Sequence, residues 1–127
     1  MYIRIDFNSN EAIYMQLRNQ IIMRIALEEI KEGDSLPSVR QLAEDIGVNM
    51  HTVNKAYSVL REDGFLKLDR RRGAIIAFDI DKVNAMAELI DEIKIMVIKA
   101  MCKNITRDEI HTLVDRVIDE YFGKKEI

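Results

Sequence analysis

A mainly helical fold with one small β-hairpin is predicted by three features of this sequence. Two short amphipathic segments are joined at Gly47: Val39, Leu42, Ala43 and Ile46 repeat at helical spacing before it, and Val53, Ala56, Tyr57 and Leu60 after it. Two short apolar runs then flank the polar turn Asp69-Arg70-Arg71-Arg72-Gly73, the pattern of a hairpin with a basic tip. The last third of the chain carries two more segments with apolar residues at helical spacing. Helix, turn, helix and basic hairpin in that order describe a winged helix-turn-helix domain, predicted over residues 1–79. A helical hairpin that serves dimerisation is predicted over 80–127.

The first dozen residues read as extended, with Tyr2, Ile3, Ile5 and Phe7 apolar or aromatic before Asn8-Ser9-Asn10 breaks the pattern. A long helix is expected from about residue 11 to 31. Its buried stripe is Ile13, Leu17, Ile21 and Ile25, and Gly33-Asp34 stops it. Pro37 stiffens the approach to the next helix. Ser38 and Asn49 sit where a helix N-cap accepts from free backbone amides. Gly47 permits the positive φ of the turn between helices, and Gly64 closes the third helix. Residues 65–68 and 74–78 are the expected strands.

In the tail, helices are expected over about 81–103 and 107–122. Val83, Met86, Ile90, Ile93, Val97 and Ala100 alternate spacings of three and four, a heptad seam, and Leu89, Met96 and Met101 widen it. Thr106 followed by Glu109 is a capping box, and Ile110, Leu113, Val114, Val117, Ile118 and Tyr121 line the second helix. Two helices cannot cover so wide an apolar stripe by themselves, so they must pack on the DNA-binding domain or on a second copy of the chain; a second copy is expected against Val83, Met86, Leu89, Ile90, Ile93, Met96 and Val97. The end, from Gly123 to Ile127, reads as frayed.

The 127 residues are 48% hydrophobic, enough for one packed domain and a small appendage. Charges interrupt every apolar run, and the N-terminus lacks the pattern of a signal peptide, so a cytoplasmic chain without a membrane span is expected. The net charge of −3 argues against DNA binding only if it is spread evenly. It is not: Arg40, Lys55, Lys67 and Arg70 to Arg72 fall in the first part, and most acids beyond the 28–32 cluster fall in the tail. The single cysteine, Cys102, reads as a small buried hydrophobe, with Lys99 and Lys103 nearby leaving a redox-sensitive thiol as the alternative. His111, between Asp108 and Asp115, reads as part of a solvated face. No nucleophile–base pair, phosphate loop or metal motif is present, which speaks against an enzyme, and no cofactor is expected.

The strings Leu36-Pro37-Ser38-Val39-Arg40 and Thr52-Val53-Asn54-Lys55-Ala56-Tyr57 carry a specific resemblance. Residues 13–78 resemble the DNA-binding domain of GntR-family bacterial transcription regulators, and the short two-helix tail resembles the YtrA-like branch. The resemblance implies a homodimer on double-stranded DNA with an inverted-repeat operator. It often implies repression of the regulator's own operon together with an ABC transporter, and it leaves a small-molecule effector open. It also places a base-contacting arginine at Arg40, where a bidentate guanidinium can read guanine O6 and N7; an exposed pair with Glu44 is the plainer reading of the same residue.

Ser38, Asn49, Thr52 and Lys55 fall at phosphate- or base-contacting positions, with His51 and Asn54 pointing outward beside them. Arg70, Arg71, Arg72 and Gly73 form the wing tip, suited to phosphates or a minor groove. The chain departs from the commonest branch pattern at Met50-His51 and in the wing, where Gly73 alone matches. A winged-helix module for protein–protein contact, without an operator, is the alternative function; the polar face of His51, Thr52, Asn54 and Lys55 argues against it.

Overall fold

The computed structural model describes residues 1–78 and 81–123. The chain separates into two compact units, Met1–Asp79 and Ile80–Ile127. In the first, helices α1 (Ile13–Ala26), α2 (Val39–Ile46) and α3 (Met50–Glu62) precede a hairpin of β1 (Leu66–Asp69) and β2 (Gly73–Ile76). The second holds α4 (Lys82–Cys102) and α5 (Arg107–Phe122). Three helices followed by an antiparallel hairpin are a winged helix-turn-helix, and the chain is mainly α with one small β-hairpin.

The apolar periodicities converge on one core. Leu17 and Ile21 from α1, Leu42 from α2, Val53 and Leu60 from α3 and Ile76 from β2 are all but solvent-free. Burying a side chain of this size stabilises the fold by about 1.5–3 kcal/mol, so these residues hold α3 against α1, α2 and the wing.

Helix α1 ends at Ala26, five residues short of the expected end near Lys31. The chain turns at Glu28, which adopts a left-handed φ of 61°. The Glu28 amide donates to the Ile25 carbonyl at 3.0 Å and the Glu29 amide to Arg24 at 2.9 Å, the two bonds of a Schellman ending. Without glycine this conformation costs about 1–2 kcal/mol. The Arg24–Glu29 ion pair at 2.6 Å bridges the positions where an apolar contact usually closes the motif. No glycine signals this stop, which is why spacing alone carried the helix on to Gly33.

The turn chemistry elsewhere follows the sequence. Gly47 ends α2 with φ 71°. Gly64 ends α3 with φ 82°, the Phe65 amide reaching back to the Leu60 carbonyl at 2.9 Å. The strands are shifted from the expected spans: β1 begins at Leu66 and runs to Asp69, and β2 begins at Gly73 and stops at Ile76, with Leu66 opposite Ile76 and Asp69 opposite Gly73.

A third extended segment flanks β2. The Gly33 amide donates to the Ile76 carbonyl at 2.8 Å, the Ile76 amide to Asp34 at 2.9 Å and the Leu36 amide to Ala74 at 2.8 Å, with Ser35 bridged to Ile75. The stretch that reads in sequence as a stop and a stiff approach is therefore also hydrogen-bonded along β2, through an isolated bridge at Ser35.

The extended N-terminus is tied to α1 by side chains four residues apart. Gln16 pairs through its amide with the backbone of Asp6, Gln20 with that of Arg4, and the Arg24 guanidinium donates to the Tyr2 carbonyl. Four residues of helix rise about 6.0 Å and two residues of strand about 6.6 Å, so every fourth helical side chain meets every second strand residue. The strap seats Ile3 in the core and accounts for Gln16, the buried polar residue of α1.

In the second unit, Thr106 and Glu109 form the predicted capping box. Asp81 caps α4 by accepting from the Asn84 amide at 3.2 Å. Neither α4 nor α5 has a single buried residue among those described, and their backbones stay apart over most of their length. Of the expected frayed end, residues 124–127 lie outside the described residues.

Candidate nucleic-acid interface

The interface is built on α2, α3 and the wing. Ser38 caps α2, its Oγ accepting from the Gln41 amide at 3.1 Å. This starts the helix so that Leu42 and Ala43 face inward and Arg40 outward. Arg40 is exposed and forms no ion pair among the described residues; the pair with Glu44 that spacing allows is not made. Its five guanidinium donors face solvent.

Asn49 caps α3, Oδ1 accepting from the His51 amide at 2.7 Å. With Val53, Ala56, Tyr57 and Leu60 inward, the opposite face presents His51, Asn54, Lys55 and Ser58 to solvent, and Thr52 is half-buried at its edge. Tyr57 locks α3 to the segment before α2: its hydroxyl donates to the Pro37 carbonyl at 2.7 Å, and burial pushes its pKa well above the ordinary phenol value. The Lys55 ammonium lies 4.1 Å from the centroid of the Tyr14 ring on α1.

The wing tip is organised by a residue that sequence reasoning missed. Asp69 Oδ1 accepts from the backbone amides of Arg71 at 2.8 Å and Arg72 at 3.0 Å, and these bonds hold its carboxyl below the usual carboxylate range. An aspartate bonding to amides two and three residues on is a known turn device, so the signal was present in the string Asp69-Arg70-Arg71-Arg72. Gly73, with φ 75°, brings the chain back into β2.

The three arginines are not equivalent. Arg72 Nη2 donates to the Gly33 carbonyl at 2.6 Å, so this guanidinium ties the wing to the segment flanking β2. Arg70 and Arg71 are exposed and engage no protein acceptor through their side chains among the described residues. Of the three wing-tip arginines, Arg72 thus carries a bond within the protein.

In the tail, Val83, Met86, Leu89, Ile90 and Met96 are exposed, Val83 by as much as 79%. Ile93 and Val97 are half-buried. Leu113, Val114, Val117 and Tyr121 add further exposed apolar surface on α5. Cys102, expected to be buried, is exposed, since neither α4 nor α5 buries any of its described residues. Among the described residues no cluster of His, Cys, Asp and Glu is arranged to hold a metal, and no helix is long and apolar enough to cross a membrane.

Residues 11–76 match the family described as bacterial regulatory proteins, gntR family. Over 126 residues, 97% of this chain and 97% of the relative, the sequence is 30% identical to the HTH-type transcriptional repressor YtrA of Bacillus subtilis. It is 36% identical over 89 residues to the uncharacterized HTH-type transcriptional regulator YhcF of the same organism, covering 70% of this chain and 68% of that one. Among solved structures it resembles a transcriptional antiterminator from Listeria monocytogenes, with a TM-score of 0.84 and 27% identity over all of this chain and 97% of that one. The matched segment spans the helix-turn-helix and the wing, and the YtrA alignment runs on through the two-helix tail. The chain therefore belongs to the GntR family of bacterial regulatory proteins, in its YtrA-like branch, and is a winged helix-turn-helix, DNA-binding transcription regulator.

Proposed function

We propose that the chain acts in the cytoplasm as a homodimeric repressor on an inverted-repeat operator, one that controls its own operon together with an ABC transporter. Each protomer places the start of α3 in a major groove. Arg40 reads a guanine, His51, Asn54 and Lys55 meet bases or phosphates beside it, and the helix caps Ser38 and Asn49, with Thr52 in the first turn of α3, lie against the backbone. Arg70, Arg71 and the Gly73 turn reach the flanking phosphates or minor groove, while Arg72 sets the wing's angle.

One observation carries the dimer: α4 and α5 expose a broad apolar surface and bury none of their residues in a single chain. A contiguous patch of that kind marks an interaction surface. A second copy is the occupant that fits, since a two-fold dimer presents two recognition helices to two half-sites. The relatives support the assignment, YtrA of Bacillus subtilis being described as a repressor.

Duplexes selected from a random library with the full chain should converge on an inverted repeat, and sedimentation should show a dimer. Truncation after Asp79 should leave a folded winged helix that is monomeric and binds one half-site weakly, because linking two sites raises affinity through effective concentration. A monomeric full chain, or a selected site without two-fold symmetry, would overturn the reading.

A further inference from the structure

We propose that Tyr14 is a positioning residue for DNA binding: its ring on α1 is the platform that holds the Lys55 ammonium of α3 ready for a phosphate. The inference rests on the reading of α3 as the recognition helix and extends the interface to a helix that the sequence had assigned to the core alone.

Three observations carry it. Lys55 is exposed, and its ammonium sits 4.1 Å from the Tyr14 ring centroid, well inside the range of a cation–π contact. No carboxylate pairs with Lys55 among the described residues, so the ring is what orders its long side chain. The platform itself is fixed. Tyr14 is half-buried and packs against the core, and the first turn of α1 is anchored by Gln16, whose Nε2 donates at 3.0 Å to the carbonyls of Asp6 and Glu11.

A lysine on an exposed helix face ordinarily samples many rotamers, and a phosphate contact must freeze them. Here much of that ordering precedes DNA. The ring takes one side of the ammonium and leaves N–H donors on the other side for a phosphate oxygen. The contact needs the π face and not the hydroxyl, so phenylalanine should serve and an aliphatic side chain should not.

The test uses the full chain and the tightest duplex recovered from random-library selection. Tyr14→Leu should weaken binding about two- to fivefold per protomer, and Tyr14→Phe should restore wild-type affinity. In a Lys55→Met background Tyr14→Leu should have no further effect, whereas a loss through helix packing alone would appear in both backgrounds. NMR supplies a readout independent of DNA: the Lys55 Cε protons should be shifted upfield by the ring in wild-type and Tyr14→Phe, and lose that shift in Tyr14→Leu.

Tyr14→Phe binding as poorly as Tyr14→Leu would mean that the hydroxyl itself touches DNA, and the proposal fails. Additive effects of Tyr14→Leu and Lys55→Met would also sink it while leaving Lys55 as a contact. An unchanged affinity in Lys55→Met alone would remove Lys55 from the interface, and the platform with it.

Discussion

The division of labour among the wing arginines yields a quantitative prediction. Arg70 and Arg71 are exposed and their guanidinium groups meet no acceptor among the described residues, whereas Arg72 is engaged with the Gly33 carbonyl. For duplex DNA the logarithm of the binding constant falls with the logarithm of salt by about 0.9 per neutralised phosphate. Replacing Arg70 and Arg71 by alanine should therefore flatten the slope by roughly 1.8 per protomer and roughly 3.6 for a dimer. Between about 50 and 200 mM salt, the double variant should lose about a hundredfold less affinity than the wild type does. Arg72→Ala should behave differently. It removes a charged donor from a backbone carbonyl on an exposed surface, worth about 1 kcal/mol, and leaves the wing less well held. Affinity should drop severalfold at every salt concentration with the slope nearly unchanged. Fluorescence anisotropy titrations across a salt series measure both quantities. A slope that falls as much for Arg72→Ala as for Arg70→Ala or Arg71→Ala would refute the division, and an unchanged slope in the double variant would mean that the tip is a solvated turn that touches no phosphate.

Three further outcomes are expected. Arg40→Ala should cost roughly 1–3 kcal/mol of specific binding and relax preference at one base pair per half-site; equal losses on the selected and a scrambled duplex would show that Arg40 touches phosphate only. Ile90→Glu places a charge on the exposed apolar face of α4, which an interface would have to desolvate, so sedimentation should show monomers, and an intact dimer would move the interface elsewhere on the tail. The Asp69 carboxyl is held below its ordinary pKa by the Arg71 and Arg72 amides. A depressed acid stabilises the fold above its unfolded pKa, and that contribution is lost as pH falls through the folded value. The wing tip should thus stay ordered at neutral pH and loosen only under acid conditions below the usual carboxylate range. The amide signals of Arg71 and Arg72 should report that transition, and Asp69→Asn should abolish their titration.

Much of the DNA-binding unit is legible in the sequence because its signals are local. Helical spacing identified the inward faces of α2 and α3, since a residue's face on a helix follows from its position alone. Ser38, Asn49, Gly47, Gly64 and the Thr106–Glu109 box were readable because caps and left-handed turns depend on side chains within a few residues. What escaped were endings and engagements that need distant partners. Helix α1 stops at a non-glycine residue in left-handed conformation, closed by an ion pair. Residues 33–36 bond along β2 only because that strand offers them a free edge. The hydrogen bond from Arg72 to Gly33 and the ring beneath Lys55 join residues far apart in the chain.

The sequence by itself determined the order of elements, the polar outward face of α3, the charge of the wing tip and the apolar width of the tail. Each of these is a property of residue type and periodicity. The tertiary structure alone decided which of those exposed groups are free to act. Among the described residues it left Arg40, Arg70 and Arg71 unengaged, tied Arg72 and Asp69 to backbone partners, seated Lys55 on Tyr14, and left α4 and α5 with no buried residue. The physical reason is that a donor or an apolar face is available only if no other segment folds onto it, and that depends on geometry no local pattern carries.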